Sequence, residues 1–365
     1  MIKLLLLIPT LDRSGAEKQL TLLATRLPKT EFDVRVAALT RGGPNAEMLQ
    51  QHGIPCTLIG KRFKFDLFAL GRLKKLIRDE RPDVLHSWLF AANAYARLVA
   101  GKADRPRVVV SERCVDSWKS GWQLWLDRRQ IRRTQRLVAN SNSVAEFYRG
   151  QGFPAERITV IPNGVELPDF TPDDRLAVLR EFDIPDDSRV VGYVGRIARQ
   201  KRVRDLVWAM QLLRQLRDRV HLLIVGDGPE RKKVEGFARH VGCDHLIRFA
   251  GHRDDASRLF AAIDVFWLAS DFEGMSNSLM EAMAAGIPSV VTDIPPNREL
   301  VEDGRQGFVV KPGDSVGFAQ FADRILGDPE LHRRLGAAAR ERMRAEFSVE
   351  QMVQSYARLY RAVAD

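Results

Sequence analysis

Apolar residues fall along this chain in short unbroken runs, separated by longer stretches where they recur every three or four positions. The runs predict strands over residues 4–8, 34–39, 84–86, 108–111, 137–139 and 159–161, and the stretches between them predict helices over 16–27, 46–52, 65–80 and 144–151. Each helix stops near a Gly, a Pro or a basic residue. The alternation breaks at Pro162-Asn163-Gly164, and a Pro- and Asp-rich stretch follows over 168–187, with one helix inside it over 175–182. A second series then predicts strands over 190–194, 221–225, 247–250, 265–268, 289–292 and 307–309, with helices over 204–216, 230–241, 256–262, 278–285 and 316–326. A last helix over 347–363 carries Val349, Met352, Val353, Tyr356, Leu359 and Tyr360 as an apolar stripe.

Strands that are apolar throughout belong in parallel sheets covered by helices on both faces. The fold class is therefore α/β, with two Rossmann-like, doubly wound parallel-sheet domains over residues 1–165 and 166–346. Ligands of such sheets gather at the carboxyl ends of the strands, which predicts a cleft between the two halves. The length of 365 residues agrees with two domains of about 150 residues each.

Composition removes several alternatives. No apolar run approaches the roughly 18 residues of a membrane-spanning helix. The start, Met1-Ile2-Lys3 and the run over 4–8, imitates a signal peptide, but the run is short, it ends at Pro9 and no small-residue cleavage site follows, so a buried first strand and a cytoplasmic protein are expected. Cys56, Cys114 and Cys243 are too scattered for a disulfide framework or a zinc site, and the seven histidines form no ligand-spaced motif, so no metal is expected. The net charge of +10 is uneven: residues 1–165 hold 28 Lys and Arg against 15 Asp and Glu, whereas residues 166–365 hold 29 against 32. An anionic partner on the first half, a membrane surface or a nucleic acid, would suit that excess.

Three segments carry candidate chemistry. Ser14-Gly15-Ala16-Glu17 follows the first strand; Gly15 lets a ligand approach the backbone, and the helix behind it offers N–H groups to a phosphate. As a plain strand–helix turn, the same segment would use Ser14 as a cap. Gly195-Arg196-Ile197-Ala198-Arg199-Gln200-Lys201 follows the first strand of the second half, where an Arg fork and a Lys point charge suit a diphosphate. The third runs from Glu273-Gly274-Met275-Ser276-Asn277-Ser278-Leu279-Met280-Glu281 to Gly286-Ile287-Pro288. Ser276, Asn277 or Ser278 can cap a helix there and Gly286 can end it. Glu273 then lies before the helix and Glu281 about one turn inside, with the helix start between them open to a phosphate.

Glu273 and Glu281 resemble the E-x7-E motif of the retaining glycosyltransferases of family 4, which have the GT-B fold. Ser14-Gly15-Ala16-Glu17 is similar to that family's G-G-x-E turn, with Ser14 in place of the first glycine. Val160-Ile161-Pro162-Asn163-Gly164-Val165 resembles its hinge, Arg196 and Lys201 its diphosphate pair, and Val225-Gly226-Asp227-Gly228-Pro229 and Phe249-Ala250-Gly251-His252 its nucleotide-side segments. The resemblance implies that Gly195, Arg196 and Lys201 hold the diphosphate of the donor and stabilise the departing nucleotide. It gives the ribose hydroxyls to Glu281 and the transferred sugar to Glu273. The backbone of Gly274, Met275, Ser276, Asn277, Ser278 and Leu279 is placed around sugar and phosphate, Gly15 against the phosphates, and the main chain of His252 and Arg253 at the base. The last helix is expected to cross back onto the first domain. No cofactor is implied beyond the nucleotide-diphosphate sugar itself, UDP- or GDP-linked. Asp271-Phe272-Glu273 superficially resembles a metal-binding triplet, but its place in the larger motif argues against that.

His86 ends the strand over 84–86, where many family members carry a second histidine two positions on. Here that position is Trp88, so His86 is a weak candidate for a sugar or acceptor contact. Basic and aromatic residues also mix around Lys61-Arg62-Phe63-Lys64-Phe65 and over Trp118, Trp122, Trp125, Arg128, Arg129, Arg132 and Arg133. The tryptophan spacing puts all three on one helix face, the pattern of a helix lying on an anionic membrane; the plain alternative is that the aromatics are core. No nucleic-acid motif is present. The expected activity is metal-independent, retaining transfer of a sugar to a lipid-linked, polysaccharide or other hydroxyl acceptor, at the inner face of a membrane. The alternatives are a nucleotide-sugar epimerase of similar two-domain fold and a non-catalytic sugar-nucleotide binding protein.

Overall fold

The run Leu4–Ile8 explains the first sheet. Alternate side chains of a strand point to opposite faces, and here both faces are core. Leu4, Leu6 and Ile8 pack with Leu20, Leu23, Met352, Tyr356 and Tyr360, while Leu5 and Leu7 pack with Leu73, Ala92, Tyr95 and Tyr148. The computed structural model describes residues 1–100, 106–115 and 119–365. Its chain divides into two compact units, Met1–Gly164 together with Val349–Asp365, and Val165–Ser348.

The first unit holds seven parallel strands: β1 (Ile2–Thr10), β2 (Phe32–Arg41), β3 (Cys56–Leu58), β4 (Val84–Trp88), β5 (Arg107–Glu112), β6 (Arg136–Ala139) and β7 (Ile158–Val160). Their order is β3-β2-β1-β4-β5-β6-β7. The chain therefore reverses its direction of travel between β1 and β4, and the carboxyl ends of those two strands flank the crevice where such sheets bind ligands. The final helix, Val349–Ala364, covers one face. Its buried Val349, Met352, Val353, Tyr356, Tyr360 and Val363 follow the three- and four-residue spacing of one apolar stripe.

The second unit holds six: β8 (Arg189–Val194), β9 (Val220–Val225), β10 (Ile247–Gly251), β11 (Val265–Leu268), β12 (Ser289–Thr292) and β13 (Gly307–Val310). The order is β10-β9-β8-β11-β12-β13, so the reversal falls between β8 and β11. The two parallel-sheet α/β units are those of the GT-B fold. The helix Pro329–Glu346 crosses close to the end of the helix Asn277–Ala284; a Cβ on Gly336 would stand 2.1 Å from the Gly286 carbonyl oxygen, so only glycine permits that approach.

Strand β3 and the helices Leu89–Ala100 and Pro329–Glu346 have no counterpart among the sequence expectations. The helix Leu89–Ala100 is buried on nearly every side, Asn93 and Arg97 included, so it shows no polar face from which a period can be read.

Candidate functional site

The carboxyl edge of the second sheet gathers most of the candidate residues. β8 ends at Val194 and the chain turns at Gly195. The turn is fastened to its neighbour by backbone hydrogen bonds from Gly195 to Val225, Ile197 to Asp227 and Glu230 to Ile197, 2.9–3.0 Å long. Gly226 makes this possible: its φ is +129° and a Cβ there would lie 2.0 Å from the Gly195 carbonyl oxygen. The turn is also tied to the segment after β11, where Asp271 N–H donates to the Gln200 carbonyl at 2.9 Å and Gln200 Nε2 to the Phe272 carbonyl at 2.6 Å.

This framework places Arg196, Lys201 and Glu273. Arg196 is exposed, and its guanidinium makes no hydrogen bond or ion pair to any described residue. Lys201 is half-buried, and its ammonium pairs directly with the carboxylate of buried Glu273, whose Oε1 also accepts from Ser270 Oγ at 2.6 Å. Asp271 pairs with Arg202 at 3.2 Å, so both carboxylates of Asp271-Phe272-Glu273 are held by cations. Three residues beyond Glu273, Ser276 is the N-cap of the helix Asn277–Ala284; its hydroxyl accepts from Leu279 N–H at 3.4 Å and lies 3.3 Å from Ser278 Oγ. Gly274, Met275 and Leu279 are buried, Asn277 and Ser278 half-buried, and Glu281 half-buried one turn inside the helix. The positive end of that helix thus lies between the two glutamates.

β10 leads into Gly251 (φ +70°), whose carbonyl accepts from Gly226 N–H at 2.7 Å. His252 is exposed. The Arg253 guanidinium is committed to Asp255 at 2.8 Å and Glu181 at 2.7 Å, and Arg258 joins the same pair of carboxylates. Those two arginines hold the Asp255 carboxyl well below its usual range. The Arg253 side chain is thus held by two carboxylates, a partnership that residue spacing alone does not disclose.

At the carboxyl edge of the first sheet, Ser14 occupies the N-cap position of the helix Gly15–Arg26, yet its hydroxyl does not cap the backbone. It donates to the Glu17 carboxylate, which also accepts from Thr10 Oγ1 at 2.9 Å. Glu17 is buried, and so fixes the turn around Gly15 from within. An acidic residue in a helix first turn was the signal for it.

His86 is fully buried in β4. Its Nδ1 lies 2.6 Å from the Tyr360 hydroxyl and its Nε2 2.8 Å from Ser111 Oγ, and Trp88 Nε1 approaches at 3.4 Å. Burial, aided by the charge of Arg113, holds the imidazole well below its ordinary pKa and therefore neutral. With both ring nitrogens engaged inside the unit, the structure does not bring His86 to a surface a sugar can reach.

Trp118 lies outside the described residues. Trp122 and Trp125, on the helix Gly121–Gln130, are 43% and 53% exposed, and Phe63, Phe65, Leu67 and Phe68 are 68–81% exposed. Phe65 and Trp122 stand 6.2 Å apart, with Lys64 over the Trp122 ring at 5.2 Å and Arg129 over Trp125 at 4.8 Å. Beneath them, buried Asp66 caps the helix Leu67–Glu80 by accepting from Ala69 N–H and also accepts from Arg62 N–H, both at 2.9 Å. The loop is thus ordered while its apolar side chains face water. Among the described residues no helix is long and apolar enough to cross a membrane.

Comparison with known proteins places this geometry. Residues 174–342 match the family described as glycosyl transferases group 1, and residues 13–168 match glycosyltransferase family 4. The chain is 30% identical over 290 residues to the lipopolysaccharide core biosynthesis glycosyltransferase LpsE of Rhizobium meliloti, covering 79% of this chain and 78% of that one. It is 26% identical over 301 residues to the N-acetyl-alpha-D-glucosaminyl L-malate synthase of Bacillus anthracis, covering 81% and 79%. The crystal structure of Anabaena Alr3699/HepE in complex with UDP-glucose superposes with a TM-score of 0.89 at 23% identity, covering 99% of this chain and 100% of that one.

Proposed function

Because the chain belongs to the group 1 glycosyltransferases, we propose that it moves a hexosyl group from a UDP- or GDP-linked sugar to a hydroxyl of a lipid-linked or polysaccharide acceptor, with retention and without a metal ion. One observation carries this reading. An unpartnered Arg196, the Lys201–Glu273 pair and the start of the helix Asn277–Ala284 share one sheet edge, beside the β8–β11 reversal. The UDP-glucose held by the Anabaena neighbour and the lipopolysaccharide-core name of the Rhizobium relative favour the donor and acceptor classes.

In the proposed reaction the bond between the anomeric carbon and the phosphate oxygen breaks. The acceptor hydroxyl oxygen bonds to the same face of that carbon, and its proton passes to the departing phosphate. Negative charge builds on the phosphate as the sugar becomes cationic. Arg196, Lys201 and the helix end meet that charge; one preorganised donor of this kind is worth about 2.7–4 kcal/mol. In the resting protein Glu273 neutralises Lys201. An arriving diphosphate competes for the ammonium, and the released carboxylate turns to the hydroxyls of the sugar. Glu281 takes the ribose hydroxyls. The test is product analysis with a panel of UDP- and GDP-sugars and a lipid-linked acceptor. Transfer with an unchanged anomeric configuration is expected; conversion of the donor in the absence of any acceptor would indicate an epimerase instead.

The proposal extends to a membrane. Phe63, Phe65, Leu67, Phe68, Trp122 and Trp125 are exposed apolar residues, with Phe65 beside Trp122, and Arg62, Lys64, Arg72, Lys74, Lys75, Arg128, Arg129, Arg132 and Arg133 of the same two segments are exposed as well. Exposed aromatics with a basic surround suit an anionic lipid surface, which attracts each nearby basic residue with about 1 kcal/mol.

A further inference from the structure

Arg113 follows β5 directly. It is half-buried, with its guanidinium carbon 4.4 Å from the centroid of the Trp88 ring. Nη1 donates to the Tyr356 hydroxyl at 3.3 Å and Nη2 to Asn163 Oδ1 at 2.5 Å. The groups it contacts are neutral: Trp88, Tyr356 and Asn163, with nearby an imidazole that its charge helps keep unprotonated. Among the described residues no carboxylate lies within ion-pair distance, and its remaining N–H groups have no partner.

The same unit treats its fully buried cations differently. Arg97 lies 2.8 Å from Asp127, and Lys119 lies 3.1 Å from Asp127 and 3.6 Å from Glu112. A cation withdrawn from water without an anion is costly, and burial alone lowers the Arg113 pKa. Two neutral acceptors and a stacking ring fix the fork in place without neutralising it, which leaves its remaining N–H groups to receive a planar or tetrahedral oxyanion. Its position suits that use. Trp88 ends β4, one of the two strands at the reversal of the first sheet, and Arg113 emerges from the neighbouring strand.

We propose that Arg113 anchors an oxyanion site on the first unit that binds a phosphate group of the acceptor. The acceptor assignment rests on the glycosyl-transfer reading above. The site itself does not.

The experiment is calorimetric titration of inorganic phosphate into the full chain saturated with UDP, which occupies the proposed donor diphosphate site. Phosphate is expected to bind the UDP-saturated wild type and to bind Arg113→Met at least tenfold more weakly. Arg113→Lys, which keeps the charge but loses the fork, should fall between them. Arg196→Ala, tested at UDP concentrations that still saturate it, should leave phosphate binding unchanged. Acetate should bind at least tenfold more weakly than phosphate. The proposal is overturned if the UDP-saturated wild type binds no phosphate, if Arg113→Met binds it as the wild type does, or if acetate matches phosphate. It is equally overturned if Arg113→Met weakens UDP as much as phosphate, since the site would then belong to the donor. Should Arg113→Met fail to fold, Arg113→Lys carries the comparison: weaker phosphate binding than wild type is expected, and wild-type affinity overturns the proposal. Should the wild type bind GDP rather than UDP, GDP takes the place of UDP in every arm; failure of the donor reading shows separately, as absence of binding of both nucleotides by the wild type.

Discussion

Lys201 and Glu273 stand 72 positions apart in the chain and form one ion pair at the carboxyl edge of the second sheet. One follows β8 and the other follows β11, strands that are neighbours only because the sheet reverses between them. The pair couples the proposed phosphate contact to the proposed sugar contact, and it separates Lys201 from Arg196, which has no described partner.

Arg196 and Lys201 should therefore fail differently. Arg196→Ala removes an exposed, unpartnered side chain, so its melting temperature should stay within about 1 °C of wild type, as for surface changes that break no specific interaction. Its kcat/KM should fall by about 100-fold or more, the scale of one lost charge-stabilising donor. Lys201→Ala should lose as much activity and also melt lower, because buried Glu273 keeps only Ser270. Scanning calorimetry beside initial-rate assays separates the two; equal melting shifts would contradict the asymmetry.

The two glutamates should divide by ligand. Glu281→Ala should weaken free nucleotide and nucleotide sugar alike, by roughly tenfold, the 1.4 kcal/mol scale of a hydrogen-bond contact. Glu273→Ala should spare the free nucleotide and impair the sugar conjugate and turnover. Titrating both ligands into both variants checks this, and identical losses in all four titrations would refute the assignment.

His86 predicts a pH effect on stability. Its native pKa lies well below the ordinary 6.5, so as pH falls through that value the unfolded chain takes up a proton that the folded chain refuses. Stability from this group is full above about pH 6.5 and declines as pH drops below it. The melting temperature should fall more steeply between pH 7 and pH 5 in wild type than in His86→Asn. Parallel slopes would show that His86 does not contribute.

Vesicle flotation tests the membrane patch. Binding to anionic vesicles should exceed binding to neutral ones and weaken with added salt, as screening requires. Replacing Phe65, Phe68, Trp122 and Trp125 by Ser should reduce it with little change in melting temperature, because these side chains are exposed. Retention of full binding by that variant would move the contact elsewhere.

The strands were legible because both faces are core: β11 and β12 coincide with their apolar runs, Val265–Leu268 and Ser289–Thr292. Strand β3 escaped because Cys56-Thr57-Leu58 is three residues long and partly exposed. The helix Pro329–Glu346 left a fainter trace, an Asp328 cap and a stripe of Leu331, Leu335, Ala339 and Met343 four apart among charged neighbours. At the candidate site, residue types and turns could be read along the chain, but partners could not. That Lys201 meets Glu273, that Arg253 spends itself on Asp255 and Glu181, and that Ser14 turns to Glu17 instead of capping its helix are set by packing rather than spacing.

The central claim is that the β8–β11 edge holds the diphosphate of a nucleotide sugar. The most direct measurement is calorimetric titration of UDP and GDP into the wild type, Arg196→Ala and Glu281→Ala. One of the two nucleotides should bind the wild type with one-to-one stoichiometry, and each variant should bind it at least tenfold more weakly. Absence of binding by both nucleotides, or wild-type affinity in both variants, would contradict the account.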